Sequence, residues 1–318
     1  MIMQPENIRN QKVLVSALDW GMGHTTRLIS IVKKLHLQQN IIYFAGTIEQ
    51  AAIVTRECDA IVPLELNGYE IKLSSNRSTY LQLILQSRKF LSAVKAEKKW
   101  VTAICKKYEI DLVISDNRYG FYSDHLPSVL ITHQLNLQVP LMRGAANRFL
   151  RAAVKKFTII WIPDYDDHRL SGKLSDLEVK LPLKFIGPLC RFEKLDQLKK
   201  YYYVAIVSGP MPERNRFAKL LADFLVRQKK PCALVGSGSQ FEGIDCFDHL
   251  NTDDLGILIQ SAHWVISRAG YTTIMELYCL QVNAVLIPTP GQYEQEYLAR
   301  LNYPKIVFKT EKWLLENE

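Results

Sequence analysis

HWVISRAGYTTIMELYCLQVNAVLIPTPGQYEQEYLARL, residues 263–301, is the stretch whose reading decides the fold. Its first apolar run, Trp264-Val265-Ile266, stops at Ser267-Arg268-Ala269-Gly270, and a helical spacing of Thr272, Thr273, Ile274, Met275 and Leu277 begins at once. That is a strand, a tight turn and a helix N-terminus. The turn carries small residues where a phosphate would have to approach the backbone, and the first N–H groups of a helix have no partners within it. A second apolar strand, Ala284 to Ile287, breaks at Pro288-Thr289-Pro290-Gly291 and opens a polar helix with Gln292, Glu294, Gln295 and Glu296. Alternation of strand and helix at this spacing predicts an α/β fold with a parallel sheet.

One turn into the first of these helices stands Glu276, a carboxylate suited to accept two hydroxyl hydrogen bonds from a ribose. Gln295 and Glu296 are suited to read sugar hydroxyls, and the backbone from Arg268 and Ala269 through Gly270 and Tyr271 to Thr272 to hold a diphosphate. The plainer reading of the same residues is an ordinary βαβ unit, with a solvated Glu276 and a Pro/Gly loop that only turns the chain.

The layout occurs again near the start. Lys12 to Leu18 reads as a buried strand, followed by the loop Asp19-Trp20-Gly21-Met22-Gly23-His24 and a helix through Leu28, Ile31, Val32 and Leu35. Gly21 and Gly23 leave room for a ligand over the helix start. A full GxGxxG fingerprint is absent, because Arg27 and Leu28 stand where a third glycine is needed. An imidazole at His24 can accept the proton of a hydroxyl as that oxygen attacks, with Asp19 as a candidate orienting group. A helix cap or a solvated surface histidine is the other reading. A third copy, Tyr202 to Ile206 followed by Val207, Ser208 and Gly209, opens the second half and places Ser208 and Gly209 within reach of a phosphate.

Between these copies, two apolar runs deliver polar residues at their ends: Leu112 to Asp116 feeds Asn117 and Arg118, and Ser128 to Thr132 feeds His133 and Asn136. Ligands gather at such strand ends in open α/β sheets. Ile41 to Phe44 reads as a strand, Gln50 to Val54 as part of a helix, and the segment ending in Asn67-Gly68-Tyr69 as irregular. Tyr80 to Lys107 and Pro140 to Phe157 have helical spacing with basic polar faces, which are either solvated or in contact with an anionic surface.

The 318 residues exceed what one core commonly serves, so two domains are expected. Residues 1–160 carry 21 Lys/Arg against 12 Asp/Glu, and residues 161–318 carry 19 against 20. The whole excess positive charge therefore sits in the first half, which points to an anionic partner there. The six cysteines lack CxxC spacing, no apolar run approaches the roughly 18–20 residues that span a bilayer, and residues 1–10 are polar. A cytoplasmic protein without metal or disulfides is expected. Nucleic-acid binding is disfavoured, because the basic residues are not interleaved with a recognisable binding module.

Ser267-Arg268-Ala269-Gly270 with Glu276, Pro288 and the Gln295-Glu296 pair, together with Gly21-Met22-Gly23-His24, resembles the GT-B glycosyltransferases of family 28. The resemblance implies two Rossmann-like doubly wound domains facing a central cleft. It places an acceptor domain at 1–190, a linker at 191–200 and a nucleotide-sugar domain at 201–307, with a C-terminal helix at 308–318 that packs back on the first domain. It implies inverting transfer, without a metal, from UDP-N-acetylglucosamine or a related UDP-hexose to a sugar or lipid-linked hydroxyl acceptor. His24 would be the base. Leu250, Ser208, Gly209, residues 268–272, Glu276, Gln295 and Glu296 would hold the donor. Gly21, Gly23, Asp116, Asn117, Arg118, His133 and Asn136 would lie on the acceptor side, and the basic first domain would meet the inner face of the cytoplasmic membrane. A UDP-sugar hydrolase or epimerase, and a non-catalytic sugar-nucleotide scaffold, fit the same donor residues.

Overall fold

A computed structural model describes residues 3–69, 86–137, 143–176, 181–209 and 211–317. The chain divides into two compact units, Met1–Leu189 and Cys190–Glu318.

In the first unit the strands are β1 (Lys12–Ala17), β2 (Ile41–Gly46), β3 (Ile61–Glu65), β4 (Leu112–Asp116), β5 (Ser128–Ile131), β6 (Ile159–Ile162) and β7 (Leu183–Phe185). They form one parallel sheet in the order β3-β2-β1-β4-β5-β6-β7. The described helices are α1 (Met22–Leu37), α2 (Ile48–Glu57), α3 (Ser87–Tyr108) and α4 (Arg143–Val154). The expected helix starts at Tyr80 and Pro140 lie outside the described residues. Strands β1, β4, β5 and β6 are buried almost throughout, as continuous Val/Ile/Leu runs in a sheet covered on both faces must be. Leu14, Val101, Cys105, Val113 and Phe121 join the sheet to α3. Leu130, Leu150, Val154 and Ile160 join it to α4.

The segment read as irregular contains a strand. β3 is an edge strand whose residues are mostly exposed and whose third residue is Pro63, so neither an apolar run nor alternation marks it.

The second unit holds β8 (Tyr201–Ile206), β9 (Cys232–Val235), β10 (Asp245–Phe247), β11 (Ala262–Arg268), β12 (Ala284–Ile287) and β13 (Ile306–Phe308), parallel in the order β10-β9-β8-β11-β12-β13. Its helices are α5 (Glu213–Gln228), α6 (Thr252–Gln260), α7 (Tyr271–Leu280), α8 (Tyr293–Leu298) and α9 (Glu311–Glu316). The core is built from Phe217, Leu221, Phe224, Leu234, Ile266 and Ile287.

The terminal helix corrects one expectation. α9 is part of the second unit: Leu314 is fully buried in that unit's core, and Trp313 packs on Phe224 with ring centroids 5.0 Å apart. Glu311 receives two hydrogen bonds from Arg216, at 2.8 and 2.7 Å, and one from Arg268 at 2.7 Å. A helix of six residues has no stability of its own and lies where its apolar face finds cover. Among the described residues no helix is long and apolar enough to cross a membrane.

Candidate functional site

Both sheets reverse their strand order beside their first strand, between β1 and β4 in one unit and between β8 and β11 in the other. Loops leaving adjacent strands there go to opposite faces and open a crevice at the carboxyl ends, where ligands bind in open α/β sheets. Several of the residues singled out in the sequence lie at these two places, among them His24 and Asp116 in the first unit and Ser208, Gly209, Ala269 and Gly270 in the second.

In the first unit β1 leads through Leu18 to Gly21, which takes a φ of 102° that only glycine adopts easily and caps α1. Gly23 and His24 form the first turn of α1. Across the crevice, Ala17 pairs with Asp116 in the β1–β4 register, so the end of β4 lies beside the start of α1. His24 Nδ1 meets Asp116 Oδ1 at 2.8 Å. Arg27, one turn further along α1, donates from Nε to Asp116 Oδ2 at 2.5 Å and from Nη2 to Oδ1. The Arg27 Nη1 lies 3.4 Å from His133 Nδ1. Asp116, Arg27 and His133 are buried, while the His24 side chain stays 20% exposed.

Burial alone would push the Asp116 carboxyl up, but Arg27 and His24 outweigh it and hold the carboxyl below the usual range. Asp116 is therefore an acceptor only, and His24 must carry a proton on Nδ1 to bond to it. In the neutral ring that tautomer leaves the lone pair on Nε2, which can take a proton from a hydroxyl. The orienting group is thus Asp116, not Asp19, whose Oδ1 accepts instead from the backbone N–H of Tyr69 at 3.3 Å.

Asn117 follows with a φ of 57°, a left-handed conformation that Asn tolerates, and its Oδ1 is buried without a hydrogen-bond partner among the described residues. Arg118 departs from the expectation. Fully buried, it turns into α3, donating from Nε to Glu97 and from Nη2 to the Asn67 carbonyl at 2.9 Å. Glu97 also accepts from Tyr69 and from the Gly120 N–H. A guanidinium taken wholly out of water needs this many partners, so Arg118 holds α3 to the sheet. Asn136 turns toward α4, where its Oδ1 accepts from Arg143 at 3.2 Å and Asn147 at 3.3 Å; a cavity of about 270 Å³ adjoins it, lined also by Arg151 and Asp176.

In the second unit β8 ends at Ile206 and is followed by buried Val207, and Ser208 and Gly209 are exposed, Gly209 with a φ of 107°. The neighbouring β11 delivers Arg268, buried Ala269 and Gly270, and Gly270 caps α7 at Tyr271 and Thr272 without any side chain in the cap. Glu276, on α7, is nearly buried and accepts from Arg191 Nε at 3.0 Å. Burial pushes the Glu276 carboxyl up, and Arg191 pulls it back only in part.

Gln295 and Glu296 brace their own loop: Gln295 Oε1 accepts from the Thr289 N–H at 2.8 Å, and Glu296 Oε1 from the Gly291 N–H at 2.9 Å. Leu250 stands just before Asn251, whose side chain caps α6 through the Asp254 N–H at 2.7 Å. Arg268 is likewise committed to neighbours within the second unit. Its guanidinium lies 3.7 Å over the Phe217 ring and donates to Glu311 at 2.7 Å and to the Pro288 carbonyl at 3.3 Å. Along β11 alternate residues share a face, so Arg268 follows Ile266 to the α5 and α9 side.

Three participants escaped the sequence reading. Arg27 stands three residues after His24, which places both on one face of α1, and that spacing was a usable signal. Arg191 had none, lying 85 residues from Glu276. Arg214, which donates to the Gly236 carbonyl at 3.0 and 2.7 Å at the end of β9, also had none.

Residues 232–312 match the family model for the glycosyltransferase family 28 C-terminal domain. The matched residues lie within the second unit. Its strand ends at Arg268-Ala269-Gly270 and its Glu276 fall within the matched residues. An 84-residue stretch is 38% identical to the UDP-N-acetylglucosamine--N-acetylmuramyl-(pentapeptide) pyrophosphoryl-undecaprenol N-acetylglucosamine transferase of Chlamydia trachomatis serovar L2. That stretch covers 25% of this chain and only 23% of the relative. Over 96% of the chain and 87% of the other, the fold is similar to the glycotransferase of kitacinnamycin, with a TM-score of 0.63 at 16% identity. It is also similar to glycosyltransferase SsfS6 of Streptomyces sp. SF2575, complexed with thymidine diphosphate, with a TM-score of 0.62 at 13% identity over 92% of this chain and 85% of that one. The fold shared with these glycosyltransferases is GT-B.

Proposed function

We propose that this protein is an inverting glycosyltransferase that moves a sugar from a nucleotide diphosphate to a hydroxyl acceptor. The observation that carries the reading is the contact of His24 Nδ1 with the buried Asp116 carboxylate, which leaves Nε2 as a base. In the proposed step the acceptor O–H gives its proton to Nε2 while its oxygen attacks the anomeric carbon. The bond from that carbon to the diphosphate oxygen breaks on the opposite face, which inverts the centre. The leaving diphosphate would rest at the start of α7 and on the backbone at Ser208 and Gly209, whose amide dipoles stabilise growing negative charge without a metal.

Glu276 would accept from the ribose hydroxyls, with Arg191 holding one of its oxygens, and the Leu250 backbone would meet the base. The family 28 match and the name of the Chlamydia relative favour a UDP-sugar, UDP-N-acetylglucosamine or a related UDP-hexose, and a lipid-linked or glycan-precursor acceptor. Peripheral contact with an anionic membrane is part of the same proposal. It is supported by the basic residues of α3 and α4, by exposed Leu91 and Phe149, and by the packing of Phe90 on Phe149, which joins those two helices.

The test is a panel of UDP-sugars incubated with the protein, with and without undecaprenyl-phosphate-linked and simple sugar acceptors, followed by UDP release. Release that depends on an acceptor and is lost in His24→Ala supports transfer. Release with water alone identifies a hydrolase, and no release from any donor by protein that binds UDP leaves a sugar-nucleotide scaffold.

A further inference from the structure

In the second unit Arg191 gives its charge to Glu276, Arg216 to Glu213 and Glu311, and Arg268 to Glu311. Arg214 has no carboxylate within ion-pair distance among the described residues. It is the second residue of α5, and its half-buried side chain turns back to the end of β9, where Nε and Nη2 both donate to the Gly236 carbonyl, at 3.0 and 2.7 Å. A Cβ added to Gly236 would stand 3.0 Å from the Val207 carbonyl oxygen and 3.4 Å from Arg214 Nη2. The guanidinium therefore lies beside the chain that leaves β8 for Ser208 and Gly209. Its Nη1 has no acceptor among the described residues.

An unpaired cation is unfavourable at this place. The first turn of a helix is the positive end of its dipole, and a positive side chain there is repelled. Pro212, at the N-cap of α5, offers no side-chain acceptor to the first N–H groups either. An anion held between Arg214 and the strand ends relieves both conditions at once. The two bonds to the Gly236 carbonyl fix the plane of the guanidinium, so Nη1 is set in place before that anion arrives.

We propose that Arg214, through Nη1, binds the outer phosphate of the nucleotide diphosphate, the one that bears the sugar. The proposal rests on the donor-site reading, in which Glu276 on α7 takes the ribose and the inner phosphate lies at the start of α7, after β11. The next strand in the sheet is β8, which presents exposed Ser208 and Gly209, and beyond it is β9 with Gly236. A diphosphate running from α7 across the end of β8 brings its outer phosphate to Arg214. When the bond from the anomeric carbon to that phosphate's oxygen breaks, the electron pair stays on the oxygen. The guanidinium then sets a full positive charge against it, beside the amide dipoles.

Calorimetric titration of the full chain with UDP and with UMP separates the two phosphates. The variants are Arg214→Gln and Arg214→Lys, each first shown by thermal unfolding to be folded. In Arg214→Gln the affinity for UDP is expected to fall about 10–100-fold, the size of one hydrogen bond to a charged group, while that for UMP stays within about twofold. Arg214→Lys keeps the charge but not the fork that holds the Gly236 carbonyl, and is expected to recover most of the lost UDP affinity. UDP affinity unchanged in Arg214→Gln overturns the proposal, as does an equal loss for UDP and UMP. A lysine variant no better than the glutamine one also overturns it, because loss of the Gly236 contact alone would give that result. Wild type that binds neither nucleotide sinks the donor-site reading itself, whereas these variant results against a wild type that binds UDP remove only the part given to Arg214.

Discussion

Asp116→Asn tests the first-unit site through a change of charge at nearly constant shape. Arg27 is only 1% exposed and donates two hydrogen bonds to the Asp116 carboxylate. An amide offers one acceptor oxygen and no charge, so the substitution removes the negative charge that these bonds place against a buried guanidinium. Breaking such a pair from one side costs about 3–5 kcal/mol. For a unit of this size each kcal/mol moves the melting temperature by about 2–4 °C, so a fall of about 6–20 °C is expected at pH 7.

The effect has a pH signature. The folded Asp116 carboxyl lies below its unfolded value, which is about 3.9. Its contribution is therefore fully present above about pH 5 and is lost as pH falls through the lower folded value. Urea unfolding of wild type and variant is expected to show a constant gap from about pH 5 to 8 that narrows toward about pH 3. Catalysis would fall by about 10²–10⁴, because the His24 tautomer with a lone pair on Nε2 is no longer enforced. A variant within about 0.5 kcal/mol of wild type, the scatter of ordinary surface changes, or a gap that does not change with pH, would refute the reasoning.

Other substitutions probe the second unit. Arg191→Met leaves Glu276 nearly buried and unpaired and is expected to cost about 2–3 kcal/mol in urea unfolding, less than a fully buried pair because both side chains keep some exposure. Adding Glu276→Gln should return most of that loss, and a double-mutant cycle reads the coupling. Gly209→Ala places a side chain at a φ of 107° and should cost about 1 kcal/mol or more while weakening UDP binding, as a calorimetric titration would show. Glu311→Gln removes the shared charged partner of Arg216 and Arg268 and should destabilise the second unit by about 2–4 kcal/mol in thermal unfolding, since Arg268 is buried and, among the described residues, is left with the Phe217 ring, the Pro288 carbonyl and the charge of Glu213.

Much of this site was legible before any coordinates. Apolar runs ending in Gly-rich turns, at Val13 to Gly23 and Val265 to Gly270, mark strand–turn–helix units by local chemistry alone, and the ends of β1, β4, β8 and β11 follow from them. Pairings were not legible, because nothing local links His24 to Asp116 across 92 positions or Arg191 to Glu276 across 85. Asp19 was the nearer acid to His24 in sequence, but β4 lies beside β1 in the sheet and brings Asp116 closer in space. Arg118 and Arg268 read as ligands because arginines at strand ends commonly face a ligand. Strand pleat and the lack of water sent them to Glu97 and Glu311. The terminal helix was misplaced because resemblance, not its own apolar face of Trp313 and Leu314, decided its partner.

The central claim is that the second unit holds a nucleotide diphosphate through α7 and Glu276. Isothermal titration of UDP into the full-length protein, beside Glu276→Ala shown to be folded, tests it most directly. The expected result is saturable UDP binding in the wild type and a loss of about tenfold or more, or roughly 1.4 kcal/mol, in the variant. Folded wild type that takes up no nucleoside diphosphate, or a variant that binds UDP as tightly as wild type, would contradict it.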